Sequence, residues 1–203
     1  MTAYTIKLLA IITMVIDHIG LFFFPHLIFL RIIGRLSFPL FAWLIANGAY
    51  YTHDIKAYLT RILIFALISQ IPFAIANHLL SPSLWYLNVL FTLFLGLLAT
   101  SIIKRNPNKL VWLITTILCS FVAFFLNTEY GIVGVLSIIS FYLFFNNIKY
   151  LVLSQIVIFI SPYILLIWLT YYYHLQLPSV INAYIEPLGL LSLILIFLYA
   201  RRI

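Results

Sequence analysis

A single all-α domain of about eight membrane-spanning helices over residues 1–203, with both termini cytoplasmic, is the fold this sequence implies. Three features lead to it. The first is composition: 66% of the 203 residues are apolar and 7% are charged, with a mean hydropathy of +1.19. Soluble domains carry close to a quarter charged residues, and disordered chains need the opposite balance, so both classes are excluded. A single anchor on a soluble body is excluded too, because no stretch is polar enough to make that body. The second is the continuity of the apolar runs. A transmembrane barrel alternates apolar and polar residues in short segments, whereas runs of about 20 residues make spanning helices. The third is the distribution of Lys and Arg, which alternates from one inter-helix break to the next.

The runs fall at 5–24, 27–50, 57–78, 86–103, 110–127, 130–146, 149–171 and 181–200. The first carries Asp17 in its interior and ends in Phe22-Phe23-Phe24-Pro25 with no small-residue cleavage site, so it is a helix and not a removable signal. The second follows the Pro25 turn and holds Arg31, Arg35 and Pro39. The third follows a break flanked by Lys56 and Arg61, holds Gln70 and Pro72, and is closed by Ser81-Pro82. The fourth opens at Trp85-Tyr86, carries Asn88, Thr92 and Gly96, and ends at Asn106-Pro107-Asn108. The fifth contains Cys119, the single cysteine, which is expected to pack as a small apolar residue. The sixth starts at Glu129-Tyr130 and ends at Asn146-Asn147. The seventh holds Pro162. The eighth follows Pro178-Ser179 and holds Pro187. Prolines inside spans kink helices and free backbone carbonyls.

A net charge of +7 and a pI near 9.6 would suggest nucleic acid in a soluble protein. Here the positive-inside rule is the better account, and no nucleic-acid partner is expected. Of the 11 basic residues, all but Arg31 and Arg35 lie in or beside alternate breaks or near the outer ends of the end spans: Lys7, Lys56, Arg61, Lys104, Arg105, Lys109, Lys149, Arg201 and Arg202. The intervening breaks have none. Tyr86, Tyr130 and Tyr171-Tyr172-Tyr173 suit the outer interface.

Arg31 and Arg35 lie inside the second span, one helical turn apart. Intramembrane charges are costly and point to function by default. The first span offers Asp17 and His18. Asp17 and Arg35 are equidistant in sequence from the turn at His26, so both lie about 13 Å below it at 1.5 Å per residue. Contact between Asp17 and at least one arginine is therefore expected. His18 is the one histidine placed deep in a span, with His26, His53, His78 and His174 in loops. Gln70, Asn88 and Thr92 fall at comparable depth, which suggests a polar chamber open toward the outer side. The plainer alternatives are an Asp17–Arg35 pair that fixes helix register and ordinary interhelical hydrogen bonds for Asn88 and Thr92.

A carboxylate beside an imidazole can orient it as a general base, but neighbours on a helix point about 100° apart, so Asp17 has the arginines as a second choice. Arginines near a base can hold a carbonyl oxygen or a phosphate and stabilise an oxyanion. No spacing suits a metal site, a phosphate-binding glycine loop or a nucleophile elbow. These residues support acid–base or acyl-transfer chemistry and leave the substrate open.

Two stretches, Lys7-Leu-Leu-Ala-Ile-Ile-Thr-Met-Val-Ile-Asp17-His18-Ile-Gly20 and Leu30-Arg31-Ile-Ile-Gly34-Arg35-Leu-Ser-Phe38-Pro39-Leu-Phe41, closely resemble the opening of the TraX family. The resemblance continues through Phe65-Ala-Leu-Ile-Ser-Gln70-Ile-Pro72-Phe73, Asn88-Val-Leu-Phe91-Thr92-Leu-Phe-Leu-Gly96 and Tyr130-Gly131-Ile-Val-Gly134-Val. It covers about 7–145, and the last two spans carry no matching motif. Asn47 before Gly48 stands where the family usually has an acidic residue. The resemblance implies a multi-pass acetyltransferase of the bacterial cytoplasmic (inner) membrane, using cytosolic acetyl-CoA as acyl donor. Its partners would be acyl-CoA, the lipid bilayer and a protein or glycan acceptor on the outer side, with the amine of a conjugative pilin N-terminus as family precedent. His18 would be general base or transient acyl carrier, and Asp17 would orient it. Arg31 and Arg35 would hold the thioester carbonyl or CoA phosphates, and Gln70, Asn88 and Thr92 would bind and position substrate. The rivals are a small proton- or anion-coupled transporter, for which repeat symmetry is expected, and a non-catalytic membrane assembly factor.

Overall fold

The computed structural model describes residues 2–80, 86–173 and 185–200. Among them the regular elements are helical: α1 (Ala3–Phe22), α2 (Ile28–Gly34), α3 (Ser37–Tyr51), α4 (Ile55–Leu80), α5 (Val89–Arg105), α6 (Lys109–Phe125), α7 (Gly131–Leu143), α8 (Ile148–Tyr173), a 3₁₀ segment (Glu186–Leu191) and α9 (Ser192–Ala200). Ala3–Phe22, Ile28–Tyr51, Ile55–His78 and Ile148–Tyr173 are long and apolar enough to cross a membrane, while Lys109–Phe125, Gly131–Leu143 and Glu186–Tyr199 are apolar but shorter. The expected turns at Ser81-Pro82 and Pro178-Ser179, with Trp85, His174, Arg201 and Arg202, lie outside the described residues.

Polar residues in the breaks start the helices by taking up free N–H groups. The Thr2 hydroxyl accepts from Thr5 N at 3.2 Å. Asp54 accepts from Ala57 N at 2.9 Å, Asn108 from Leu110 N at 2.9 Å and Asn147 from Tyr150 N at 3.3 Å. Besides the last element, which opens as the 3₁₀ segment with Pro187 in its first turn and not as an α-helix kinked there, two boundaries differ from expectation. The second span is interrupted at Arg35–Leu36, between α2 and α3. Pro39 has no N–H to give the Arg35 carbonyl four residues back, which weakens the helix there. The other difference is α4, which continues to Leu80 and places His78 in its last turn instead of a loop. Pro72 and Pro162 lie inside helices as expected.

The chain forms two compact units, Met1–Leu44 with Asn146–Ile203, and Ile45–Phe145. In the first, α1 packs on α2, and the 3₁₀ segment packs on α2, α8 and α9. The buried residues of α1 are Ile6, Ala10, Thr13, Asp17 and Gly20, a stripe with steps of three and four. At its end the ideal Cβ of Gly20 would stand 2.8 Å from Leu30 Cβ, so the α1–α2 hairpin closes tightly. Phe38 and Phe159 are buried in the same unit with ring centroids 6.4 Å apart.

In the second unit α5 is the centre, packed by α4, α6 and α7. Gly96 lets α7 approach, since an ideal Cβ there would stand 2.9 Å from Ile138 Cβ. Cys119 is buried with Leu95, Ala99, Ile103, Ala123, Val135 and Ile139, the small apolar role expected of it. Lys104 at the end of α5 donates to the carbonyls of Ala49 (2.9 Å), Tyr50 (3.1 Å) and Thr52 (3.4 Å). A cation on the last carbonyls of α3 complements its dipole, a structural use beyond the topological one.

Candidate functional site

Asp17 falls on the buried stripe of α1, and the α1–α2 hairpin brings both arginines to it. Arg31 Nη1 donates to Asp17 Oδ2 at 2.6 Å and to the Asp17 carbonyl at 3.4 Å. Arg35 Nη2 donates to Oδ1 at 2.9 Å and Oδ2 at 3.1 Å. The depth arithmetic thus leads to contact with both arginines. The fit is close: a Cβ on Gly34 would overlap the Asp17 carboxylate. Gly34→Ala is accordingly expected to push the carboxylate off its arginines and destabilise the protein by about 1–3 kcal/mol, the range for overpacking. Thermal unfolding in detergent checks this, and an unchanged midpoint would contradict the close fit.

A fourth member, which the sequence reading missed, is Glu186. Arg35 Nη1 donates to Glu186 Oε1 across 151 positions of sequence. The cluster is then two guanidiniums against two carboxylates, with side-chain exposures between 9% and 25%, which is the balance low-dielectric burial demands. Charge counting was the available signal. Two arginines inside a span need two acids, and Asp17 is one of only 4 in the chain. Of the others, Asp54 lies between the second and third runs and Glu129 at the start of the sixth, which leaves Glu186 as the acid inside a run.

His18, one residue past the buried stripe, is exposed on α1 beside Ile11, Val15 and Ile19. Its Nδ1 lies 2.8 Å from the Met14 carbonyl, and its ring stacks on Phe22 at 6.3 Å. A carbonyl only accepts, so Nδ1 carries a proton, and in the neutral ring the lone pair is then on Nε2. Of the two partners open to Asp17, the arginines take it, and the backbone rather than Asp17 orients His18.

Gln70, Asn88 and Thr92 belong to the second unit and bond within it. Asn88 caps α5, accepting from Leu90 N at 3.0 Å, and donates to the Ala66 carbonyl and to Gln70 Oε1, both at 2.9 Å. Gln70 also accepts from Asn88 N at 2.9 Å and donates to the Tyr86 carbonyl at 3.0 Å. Thr92, fully buried, bonds to Thr128 Oγ1 at 2.9 Å and to the Glu129 carbonyl. Tyr130 then takes a left-handed φ of 63° to start α7, a conformation that costs a non-glycine residue about 1–3 kcal/mol. A cavity of about 410 Å³ in this unit is lined by Tyr50, Lys104, Arg105, Trp112 and Tyr142, among others.

The chain is similar to two curated proteins. One is the uncharacterized protein RP591 of Rickettsia prowazekii (strain Madrid E), 37% identical over 91 residues, covering 45% of this chain and 33% of that protein. The other is the probable fimbrial assembly protein FimC, serogroup H1, of Dichelobacter nodosus, 37% identical over 113 residues, covering 50% of this chain and 46% of that protein. The chain thus spans less than half the length of either relative. No solved structure matches. The TraX protein family model matches residues 2–201, past the motifs and through the last two helical segments, and the chain belongs to the TraX family.

Proposed function

We propose that this chain is a multi-pass acyltransferase of the bacterial cytoplasmic membrane. It transfers acetyl from cytosolic acetyl-CoA to an amine or hydroxyl of an extracytoplasmic acceptor. The observation that carries the reading is the Asp17–Arg31–Arg35–Glu186 cluster, set among apolar helices, whose Asp17 is the acid of the Asp-His motif of a TraX-family chain. The tautomer of His18 supports it, because Nε2 has the lone pair a general base needs. Arg31 and Arg35 would stabilise charge developing on the thioester carbonyl. Positioning of substrate by Gln70, Asn88 and Thr92 would require them to exchange the bonds they make within the second unit, so the weight of the reading rests on the first.

Incubation of the purified protein with isotopically labelled acetyl-CoA, followed by mass spectrometry of the protein and of pilin-type acceptors, tests the activity. Label that is never transferred or hydrolysed above the no-protein control would overturn it. In that event the fimbrial relative favours a non-catalytic assembly role.

The proposal includes about eight spans with both termini inside. In a Cys119→Ser background, Asn108→Cys should react with impermeant maleimide only from the cytoplasmic side. Gln176→Cys, at a position outside the described residues, should react only from the outside. Labelling of both from one side would refute this orientation.

A further inference from the structure

The two carboxylates of the arginine cluster are held unequally. Asp17 is bonded by Arg31 on Oδ2, by Arg35 on both oxygens, and is seated against the bare Cα of Gly34. Glu186 has Arg35 as its one hydrogen-bonding partner among the described residues. It stands at the start of a six-residue 3₁₀ segment, and its side chain is 25% exposed against 12% for Asp17. A carboxylate with one charge-assisted partner exchanges more readily than one shared by two guanidiniums. Arg35 is fixed without Glu186. Its Nη2 is held on Asp17, and its carbonyl abuts Gly189, where an ideal Cβ would come within 2.8 Å of it. Displacing Glu186 therefore takes from Nη1 the carboxylate oxygen to which it donates, while Nη2 stays on Asp17.

We propose that Arg35 Nη1 is an anion subsite for a carboxylate or other singly charged oxygen. Glu186 occupies it in the resting protein and yields it to the substrate's anionic oxygen. Under the acyl-transfer reading, on which this one identification rests, that oxygen is the thioester carbonyl oxygen as it gains charge during nucleophilic addition.

Sodium formate, the smallest carboxylate, is the probe, with sodium chloride at equal ionic strength as control. The readout is thermal unfolding of the full chain in detergent. Glu186→Ala should be less stable than the parent in chloride and recover in formate, with half-recovery at a concentration at least tenfold below any formate response of the parent. Glu186→Gln keeps the side-chain volume and one acceptor for Arg35, and it guards against an alanine variant that does not fold. It should show the same formate-selective response at smaller amplitude. Equal responses to formate and chloride in every variant that folds, or a parent response matching the variants', would overturn the subsite. So would a formate response that survives the further change Arg35→Gln. Acetyl-CoA added to the formate-bound variant should shift the formate midpoint upward by competition. Formate binding without that competition upholds the subsite and removes only its identification with the acyl donor.

Discussion

Asp17→Ala is expected to destabilise the protein by about 3–5 kcal/mol, the range for removing one partner of a buried ion pair. The change takes the shared acceptor from between two arginines and leaves Glu186 as the only acid of the four facing two guanidiniums. Adding Arg31→Ala restores the balance, because Arg35 and Glu186 remain as a neutral pair. The double variant should therefore be more stable than Asp17→Ala alone, although it has lost more atoms. Equilibrium unfolding in mixed micelles on the parent, both single variants and the double variant gives the coupling directly. A double variant no more stable than Asp17→Ala would show that charge balance does not decide stability here.

His18→Ala carries the largest expected effect on activity. A positioned general base contributes about 10²–10⁴-fold in rate, and acetyl transfer should fall by that factor. Folding should be retained, since the exposed ring gives up one bond to the Met14 carbonyl and one stacking contact with Phe22. His18→Gln can still donate to that carbonyl but has no basic nitrogen, so it should be equally inactive. Changes at His53, His78 and His174 should be mild. Stopped assays on detergent-purified variants of matched folded fraction make the comparison. Transfer at the parent rate by folded His18→Ala would make His18 structural and shift the reading toward a transporter or assembly role.

Most of the helical layout was legible, because span length and break chemistry are local properties of the chain. The Asp17–Arg35 contact was legible for a related reason: a short hairpin fixes relative depth from residue counts alone. Side-chain direction was only half legible. The stripe Ala10, Thr13, Asp17 and Gly20 defines the buried face of α1, and it leaves His18 with Ile11 and Val15, so Asp17 and His18 belong to different faces of the helix. The Glu186 contact joins elements 151 residues apart, and no periodicity relates such positions. The break before α3 was signalled by Pro39, but a proline in a membrane helix can kink it or interrupt it, and packing around the freed carbonyl decides which. At Arg35 that packing comes from Gly189. Gln70 and Asn88 looked like chamber walls because their depths agree; depth does not reveal that each would spend its hydrogen bonds on the start of α5.

The separation between Arg35 and Glu186 also sets a schedule during biosynthesis. The first hairpin, with Asp17, Arg31 and Arg35, is complete early in translation, whereas Glu186 emerges 151 residues later, about 8–30 s at about 5–20 residues per second. Through that interval the nascent hairpin holds two guanidiniums against one carboxylate, and arrival of the C-terminal segment neutralises it. Ribosome-arrested chains ending before and after Glu186 should differ accordingly, with the first hairpin gaining protease resistance only in the longer chain. Arrival of the segment that carries Glu186 would then lock the charge site of the first hairpin, which had waited, unbalanced, for its second acid.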